Sequence, residues 1–359
     1  MAAHNNYITI AKSIGIVLMV IGHSGCPFYL SKFIYLFHMP LFFFCSGVFF
    51  KAITTNADAL SFLKKRIVKL YIPFVKWSLL FLLLHNIFMC IGIYNPYYGY
   101  WGGSSYYTLT EILLKFFLII FSMHGYEELL GGFWFIRALF ISSIMIAILS
   151  IQLGTKYKYE TIFFFSLILV IIVRRFAPDL ELWKDVSMGA LGTVFYMSGY
   201  LFKQYKNVWR NKCFMFVNFL FLILSWFYFE DGVSMGCGYN KVLLFSVSAI
   251  SGSLLTLIFS LYIEKKLTFV RNVLYFIGNH TLVILALHFL SFRLVSFAGC
   301  ILLGLDYAHV AEHPVVNCYP IANSLWWILY AIVGVVSPLL INMVWNYIVN
   351  TVKDIFICR

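Results

Sequence analysis

Long unbroken apolar runs constrain this chain more than any other feature of its sequence. Several of them, such as residues 242–263, exceed the ~18 residues that indicate a membrane-spanning helix. The runs are continuous rather than alternating, which disfavours a sheet architecture. Only 11% of the residues are charged, against ~25% in soluble domains. The sequence therefore predicts an all-α, polytopic membrane helical bundle in which residues 1–359 form a single domain.

The positions of the apolar runs predict about ten transmembrane helices. With the N-terminus in the cytoplasm, the inside loops hold more than twice as many Lys and Arg residues as the outside loops. This asymmetry obeys the positive-inside rule and predicts that both termini are cytoplasmic. Residues 111–123 are then expected to form a helix on the outer surface, because a further span there would move the basic loop 203–212 outside. The predicted spans are 8–24, 33–50, 70–93, 133–152, 161–173, 186–202, 213–229, 242–263, 273–291 and 322–349.

Charge also excludes two function classes. The net charge of +12 is explained by this loop distribution, so we expect no nucleic-acid partner. All fourteen acidic residues fall in predicted loops. Intramembrane carboxylates are the usual relays of ion-coupled transporters, so a proton- or sodium-coupled pump is disfavoured.

Two cysteine-containing stretches need separate interpretation. The segment that ends at Cys26 is similar to a lipoprotein signal, but His23 stands where an aliphatic residue is wanted. We therefore expect this segment to remain as the first helix. Cys300 and Cys318 fall in one predicted late loop, and the sequence leaves open whether they form a disulfide.

The first predicted span carries Lys12 and His23 on one face. They are eleven residues apart, which at ~100° per residue is three turns plus about 20°, so both lie on one stripe roughly 16 Å apart. A cation and an imidazole within lipid need polar partners or a polar cavity. Alternatively, Lys12 snorkels to the headgroups and His23 marks the far interface.

The other polar groups within the predicted spans are also cationic or imidazole. His38 opens the second span near the level of His23, so two imidazoles are expected to meet near the outer leaflet, unless His38 is an interfacial residue. Arg137 lies about a turn from Trp134 and needs an anion, carbonyl groups or a water-filled cavity. This composition suits an anionic ligand, and no HxxH or HxxxH pair within the predicted spans predicts a metal site. The full set is Lys12, His23, His38, Lys76, His85, Arg137, His280 and His288.

Several of these residues belong to recognisable motifs. Lys12 and His23 match a basic-x10-His signature, and Gly22-His23-Ser24 is followed by Phe37-His38-Met39-Pro40-Leu41-Phe42-Phe43 and Ser46-Gly47. A basic segment before Pro73, the stretch Phe133-Trp134-Phe135, and Gly278-Asn279-His280-Thr281 with His288 complete the pattern. In these motifs the chain resembles the acyltransferase-3 family of integral membrane acyltransferases, most closely its fucose 4-O-acetylase-like branch, over nearly its whole length.

The resemblance implies an acyl-CoA-dependent O-acyltransferase. It implies ten helices, cytoplasmic acyl-CoA, usually acetyl-CoA, as donor, and O-acetylation of a sugar hydroxyl in a polysaccharide or a lipid-linked glycan of the cell envelope. His23 is then the essential catalytic residue, and the location is the bacterial inner membrane. The position of His280 is more often a small hydroxylated residue in this family. Many relatives carry an extra extracytoplasmic domain; we expect none here, so the chain should act alone or with a separate partner, and a homo-oligomer stays open.

We expect Lys12, Arg66 and Lys69 to bind the CoA phosphates near the inner mouth. His23 would act as general base or as an acyl relay. Arg137 is a candidate donor to the oxyanion. The remaining candidate substrate and cavity residues are His38, Ser46, Trp134, Arg137, His280 and His288.

Two other classes of function remain open at this point. An exporter or flippase would use the cationic cavity to hold the phosphate of a lipid-linked glycan. A purely structural membrane scaffold would bind neither ligand.

Overall fold

The computed structural model describes residues 6–100, 102–154, 157–176, 181–205, 211–236 and 241–357, and it confirms the all-α fold class. Within these ranges the chain forms helices and no β-strand. The first seven helices are α1 Asn6–His23, α2 Phe28–Tyr35, α3 His38–Val48, α4 Asn56–Arg66, α5 Ile72–Cys90, α6 Leu109–Ser122 and α7 Trp134–Gln152. The others are α8 Lys158–Phe176, α9 Glu181–Gln204, α10 Lys212–Tyr228, α11 Val242–Lys266, α12 Thr268–Asn279, α13 Thr281–Leu303 and α14 Trp326–Ile357. Short π- or 3-10-helical turns cover Ile67–Tyr71, Glu128–Phe133 and Tyr307–Ala311.

Seven segments of the described chain are long and apolar enough to cross a bilayer. They are Asn6–His23, Phe28–Val48, Asn56–Cys90, Glu128–Gln152, Val242–Lys266, Thr281–Leu303 and Trp326–Val352. The shorter α10 is also apolar. The predicted spans 161–173 and 186–202 coincide with α8 and α9, which carry charged residues near both ends. The count of ten and the cytoplasmic position of the termini therefore stay predictions.

The predicted ninth span, 273–291, is wrong in its limits. The chain forms two helices there, α12 and α13, separated at His280. The backbone of His280 has φ −115° and ψ 19°, which interrupts the helical geometry. Because apolar residues continue on both sides of this break, the composition of the segment hides it.

The segment 111–123 is helical, as predicted. Helix α6 begins with a capping box in which Thr108 accepts from the backbone N–H of Glu111, and the Glu111 carboxylate accepts from the backbone N–H of Thr108. It ends at Met123, which has φ 51°. Ile119 is its buried residue, so most of its apolar surface is exposed. Its position on the outer membrane surface stays a prediction.

The chain divides into two compact units. The first is built from the described residues of Met1–Gly15, Tyr29–Lys76 and Phe133–Tyr275. The second is built from Ile16–Phe28, Trp77–Gly132 and Phe276–Arg359, again within the described ranges. Each unit is therefore assembled from three separate stretches of sequence.

Two glycines allow α3 and α9 to touch in the first unit. A Cβ atom on Gly47 would lie 1.8 Å from the carbonyl oxygen of Tyr196. A Cβ atom on Gly199 would lie 2.0 Å from the carbonyl oxygen of Phe44. The two backbones are in direct contact at this crossing, as is typical of small residues between membrane helices.

Helix α13 positions the candidate site in the second unit. It packs against α14 and the turn Tyr307–Ala311. The hydroxyl groups of Ser296 and Tyr330 are 3.0 Å apart across the α13–α14 contact. Arg293 and Cys300, both expected in loops, instead lie in α13, and both are buried. Cys300 and Cys318 are free thiols.

Candidate functional site

His23 is the last residue of α1, at the point where the chain leaves the helix. The hydroxyl of Ser24 donates to the carbonyl oxygen of Ile21 over 2.8 Å, and Gly25 turns the chain with φ 77°. The imidazole of His23 lies 5.7 Å from that of His288 and 5.0 Å from the ring of Phe289, measured between ring centres. Since α1 is continuous from Asn6, the structure confirms that Lys12 and His23 belong to one helix.

His288 is fully buried and its hydrogen bonds fix its tautomer. Its Nδ1 atom lies 3.2 Å and 3.0 Å from the carbonyl oxygens of Ile284 and Leu285. Nδ1 must therefore carry a proton, because carbonyl oxygens only accept. Nε2 is buried and has no hydrogen-bond partner among the described residues. In the neutral ring, this nitrogen holds a lone pair beside His23.

His313 completes the group of side chains that we call the histidine cluster: His23, His288, Phe289 and His313. The ring of Phe289 lies between two imidazoles, with centres 3.9 Å from His288 and 4.5 Å from His313. Burial, reinforced by the nearby charge of Arg293, lowers the pKa of His313 to about 2. The imidazole is therefore neutral at physiological pH. Sequence reasoning missed His313, although it ends an HxxxH pair with His309 in the loop after α13.

A buried ion pair stands beside the cluster. The Nη2 atom of Arg293 lies 3.0 Å from Oε1 of Glu128, and both side chains are almost completely buried. The Nη1 atom of Arg293 also donates to the carbonyl oxygen of Glu312. The other oxygen of Glu128 accepts from the backbone N–H of Tyr100 at 2.7 Å. Glu128 lies 165 positions before Arg293 in the sequence, so no local pattern could have predicted the pair.

A second buried acid is paired with His85. Nδ1 of His85 is 3.0 Å from Oε2 of Glu127, and Nε2 is 2.9 Å from the carbonyl oxygen of Ser105. The hydroxyl of Tyr94 donates to the same oxygen of Glu127 over 3.0 Å. Burial, with a further contribution from Glu127, raises the pKa of Tyr94 well above its ordinary value, so this phenol stays protonated.

The three predicted CoA-binding residues lie in the first unit. Lys12 is half-buried and close enough to Lys69 for their charges to interact. Arg66 donates to the hydroxyl of Tyr196, and its guanidinium lies 4.8 Å from the centre of the Phe62 ring. None of the ion pairs between described residues uses Lys12, Arg66 or Lys69. Two like charges held near each other favour binding of an anion.

Arg137 is paired with an acid that the sequence analysis placed outside the helices. Its Nη2 atom lies 2.5 Å from Oδ2 of Asp185, and both side chains are partly exposed. Asp185 lies in α9, so the prediction that all acidic residues fall in loops is wrong. The charge of Arg137 is already compensated by this carboxylate.

The remaining predicted cavity residues are held by local contacts. His38 is buried, and its Nδ1 atom lies 2.9 Å from the carbonyl oxygen of Ile34. The hydroxyl of Ser46 donates to the carbonyl oxygen of Phe42 over 2.9 Å. Trp134 packs edge-on against Phe135. His38 and His23 belong to different units, so their meeting stays a prediction.

His280 lies at the break between α12 and α13. Its Nδ1 atom bonds the carbonyl oxygen of Phe276 at 2.8 Å. This local bond gives His280 a structural role at the helix junction, and His288 rather than His280 contacts His23.

The histidine cluster can perform proton transfer. It holds one imidazole at a helix end, a second with a buried lone pair, and a third that stays neutral. Imidazole groups of this kind act as general bases or as nucleophiles. Among the residues that the structure describes, no three His, Cys, Asp or Glu side chains are grouped to hold a metal ion.

Comparison with known protein families shows that a family model described as an acyltransferase domain matches residues 5–343. No curated protein and no solved structure matches the chain at a significant level.

Proposed function

This chain belongs to the acyltransferase-3 family, and from that premise we propose that it transfers an acyl group, usually acetyl, from acyl-CoA to a sugar hydroxyl. The observation that carries the proposal is the position of His23. It ends the helix that also holds Lys12, and it lies beside the buried imidazole of His288.

His23 is proposed as the general base. It would remove the proton of the acceptor hydroxyl while the hydroxyl oxygen attacks the thioester carbonyl. The carbon–sulfur bond then breaks, and His23 returns the proton to the departing CoA thiolate. In the alternative two-step course, the acyl group passes first to the imidazole of His23 and then to the acceptor.

Lys12, Arg66 and Lys69 are proposed to bind the phosphates of CoA. The guanidinium of Arg66 lies beside the rings of Phe62 and Tyr196, which hold it in place. A guanidinium held in this way is suited to bidentate contact with phosphate. Lys12 and Lys69 would add point charges. The repulsion between them in the absence of ligand is relieved when an anion binds.

The acceptor is proposed to be a carbohydrate or lipid-linked glycan of the cell envelope. The proposed location is the inner membrane of a bacterium, in accord with the multi-pass helices of the chain. The fucose 4-O-acetylase-like branch is also part of this proposal. The family match gives no support to the exporter or flippase alternative.

Radiolabelled acetyl-CoA tests the proposal. Purified protein in nanodiscs is incubated with [acetyl-14C]acetyl-CoA and a cell-envelope glycan extract, and acceptor-bound label is counted. We expect transfer by the native chain and a loss of at least 100-fold in His23→Gln, since general bases contribute typically 10²–10⁴-fold.

CoA binding provides the control. His23→Gln should bind CoA as the native chain does, because the phosphates are held elsewhere. Retained transfer by a folded His23→Gln protein would refute the role of His23. Translocation of a lipid-linked glycan without label transfer would instead favour the transport alternative.

A further inference from the structure

His288 is a member of the histidine cluster that the proposed mechanism does not yet use. Its side chain is fully buried in α13. Nδ1 donates to the carbonyl oxygens of Ile284 and Leu285, at 3.2 Å and 3.0 Å. Nε2 then holds a lone pair, and it is buried without a hydrogen-bond partner among the described residues. A buried acceptor without a donor is unfavourable, so this nitrogen favours a donor at close range.

The rings packed against His288 identify that donor. In the described part of the chain, these rings belong to Phe289, Phe292 and His23, with centres 3.9 Å, 5.8 Å and 5.7 Å away. The two phenyl rings carry no N–H or O–H group. His23 is therefore the neighbouring ring that can donate to Nε2 of His288.

The groups around this pair favour a neutral His288. Burial disfavours the charged form of an imidazole unless an acid compensates it. The buried carboxylate of Glu128 is already paired with Arg293 at 3.0 Å. His313, whose pKa is about 2, is neutral and lies on the other side of the Phe289 ring. His288 can therefore accept a hydrogen bond without taking the proton itself.

A hydrogen bond to His288 would determine what His23 does. A neutral imidazole has one N–H and one lone pair. With its N–H on His288, His23 presents the lone pair of its other nitrogen to the acceptor hydroxyl. When His23 takes the hydroxyl proton it becomes a cation, and a charge-assisted hydrogen bond is roughly twice as strong as a neutral one. The bond thus strengthens as the transition state forms, which is what an accelerating interaction requires.

We propose that the N–H of His23 donates to Nε2 of His288 in the working enzyme, and that His288 is a positioning residue that sets the tautomer of the catalytic base. The inference rests on the proposed acyltransferase function, in which His23 is that base. The ring centres are 5.7 Å apart, and His23 is half-buried at the end of α1, where its side chain can turn. Hydrogen bonds between catalytic groups often tighten when substrate binds.

Nuclear magnetic resonance tests the pair without any acyl transfer. The protein is labelled with 15N-histidine, placed in nanodiscs and studied alone and with CoA, and His288→Gln assigns the signals of that ring. We expect the proton of His288 on Nδ1, and a shift of its Nε2 signal in His23→Ala, which removes the donor. The proposal is overturned if Nε2 of His288 carries the proton, or if its signal is unchanged in His23→Ala both with and without CoA.

Two substitutions at position 288 separate positioning from packing. Asn keeps an amide donor near the place of Nδ1 and offers no acceptor at Nε2, whereas the longer Gln places its oxygen near Nε2. His288→Asn should lower kcat at least tenfold and leave the KM for acetyl-CoA within twofold. The acidic limb of its kcat profile should move at least half a pH unit lower, because protonated His23 loses its acceptor. His288→Gln should retain kcat within fivefold of the native value.

The control is His124→Asn, at a histidine after α6 whose ring contacts Tyr126, and it should match the native chain. A folded His288→Asn protein with native kcat, or with an unmoved acidic limb, would contradict the role of His288. If His288→Asn does not fold, the resonance comparison of the native chain with His23→Ala decides.

These outcomes are separable from the fate of the proposed function. Acetyl transfer that persists in His288→Asn, with no resonance change in His23→Ala, would remove the pair and leave the enzyme. A hydrogen bond between the two imidazoles in a chain that transfers no acetyl group would remove the enzyme and leave the pair.

Discussion

Replacing Arg293 with Met should destabilise the protein strongly. The substitution keeps an unbranched apolar stem but leaves Oε1 of Glu128 and the carbonyl oxygen of Glu312 without their donor. The Arg293 and Glu128 side chains are only 3% and 5% exposed, so water cannot replace the lost partner. Breaking a buried pair of this kind costs ~3–5 kcal/mol of unfolding free energy.

Glu128→Gln is the second substitution of a double-mutant cycle on this ion pair. This change removes the charge and keeps an acceptor for the backbone N–H of Tyr100, so in the Arg293→Met background it should recover part of the loss. We expect a coupling energy of about 2–3 kcal/mol, near the upper end for residues in contact. Reversible SDS titration in mixed micelles, followed by tryptophan fluorescence, measures each unfolding free energy.

The chain supplies a matched control in Arg137 and Asp185. Their nitrogen–oxygen distance is 2.5 Å, shorter than that of the buried pair, but their side chains are 25% and 33% exposed. Arg137→Met should therefore cost no more than about 1 kcal/mol. If Arg293→Met cost as little as Arg137→Met, or if the two changes at the buried pair were additive, the reasoning from burial would be refuted.

Three further substitutions test separate parts of the structure. Gly47→Ala should abolish folded protein in fluorescence-detected gel filtration, because its Cβ would lie 1.8 Å from a carbonyl oxygen, whereas Gly154→Ala has open space and should fold normally. His313→Gln should reduce the pH dependence of the unfolding free energy. The pKa of His313 is about 2 in the folded chain and ~6.5 in the unfolded chain. The stability that the native chain has above pH 6.5 therefore falls on acidification, by up to about 2 kcal/mol at pH 5, and the variant should lack that fall. Lys12→Ala should raise the KM for acetyl-CoA at least fivefold with little change in kcat, whereas Lys76→Ala, also a lysine within a helix, should not.

Each of these has a contrary result. Normal gel filtration of Gly47→Ala would mean that the two backbones are not in contact. If the unfolding free energy of His313→Gln changed between pH 5 and pH 8 as much as that of the native chain, the acid sensitivity would belong to other groups. Equal KM values for Lys12→Ala and the native chain would remove that residue from CoA binding.

The positions of the helices could be predicted because lipid imposes a simple rule. A backbone in hydrocarbon must satisfy its own hydrogen bonds, so each apolar run of sufficient length becomes a helix. The first helix and α11 follow this rule closely, whereas the predicted span 33–50 is divided between α2 and α3. The break at His280 did not follow from it, because the sequence stays apolar on both sides.

The candidate site was only partly accessible from the sequence. Lys12 and His23 share one helix, and helical periodicity relates such residues directly. Arg293, Glu128 and His313 depend on contacts between distant parts of the chain, which no local period encodes. A charged residue near a predicted span end looks the same in a sequence whether it faces headgroups or a buried partner.

The assembly of the histidine cluster has a consequence for biosynthesis. His23 and His313 are 290 residues apart in the chain, so the ribosome needs about 15–60 s to proceed from one to the other. During that interval the first helix holds its imidazole without the neighbours that will surround it. Under the proposed function, a nascent chain should therefore transfer no acyl group until α13 and the loop after it have folded beside the first helix.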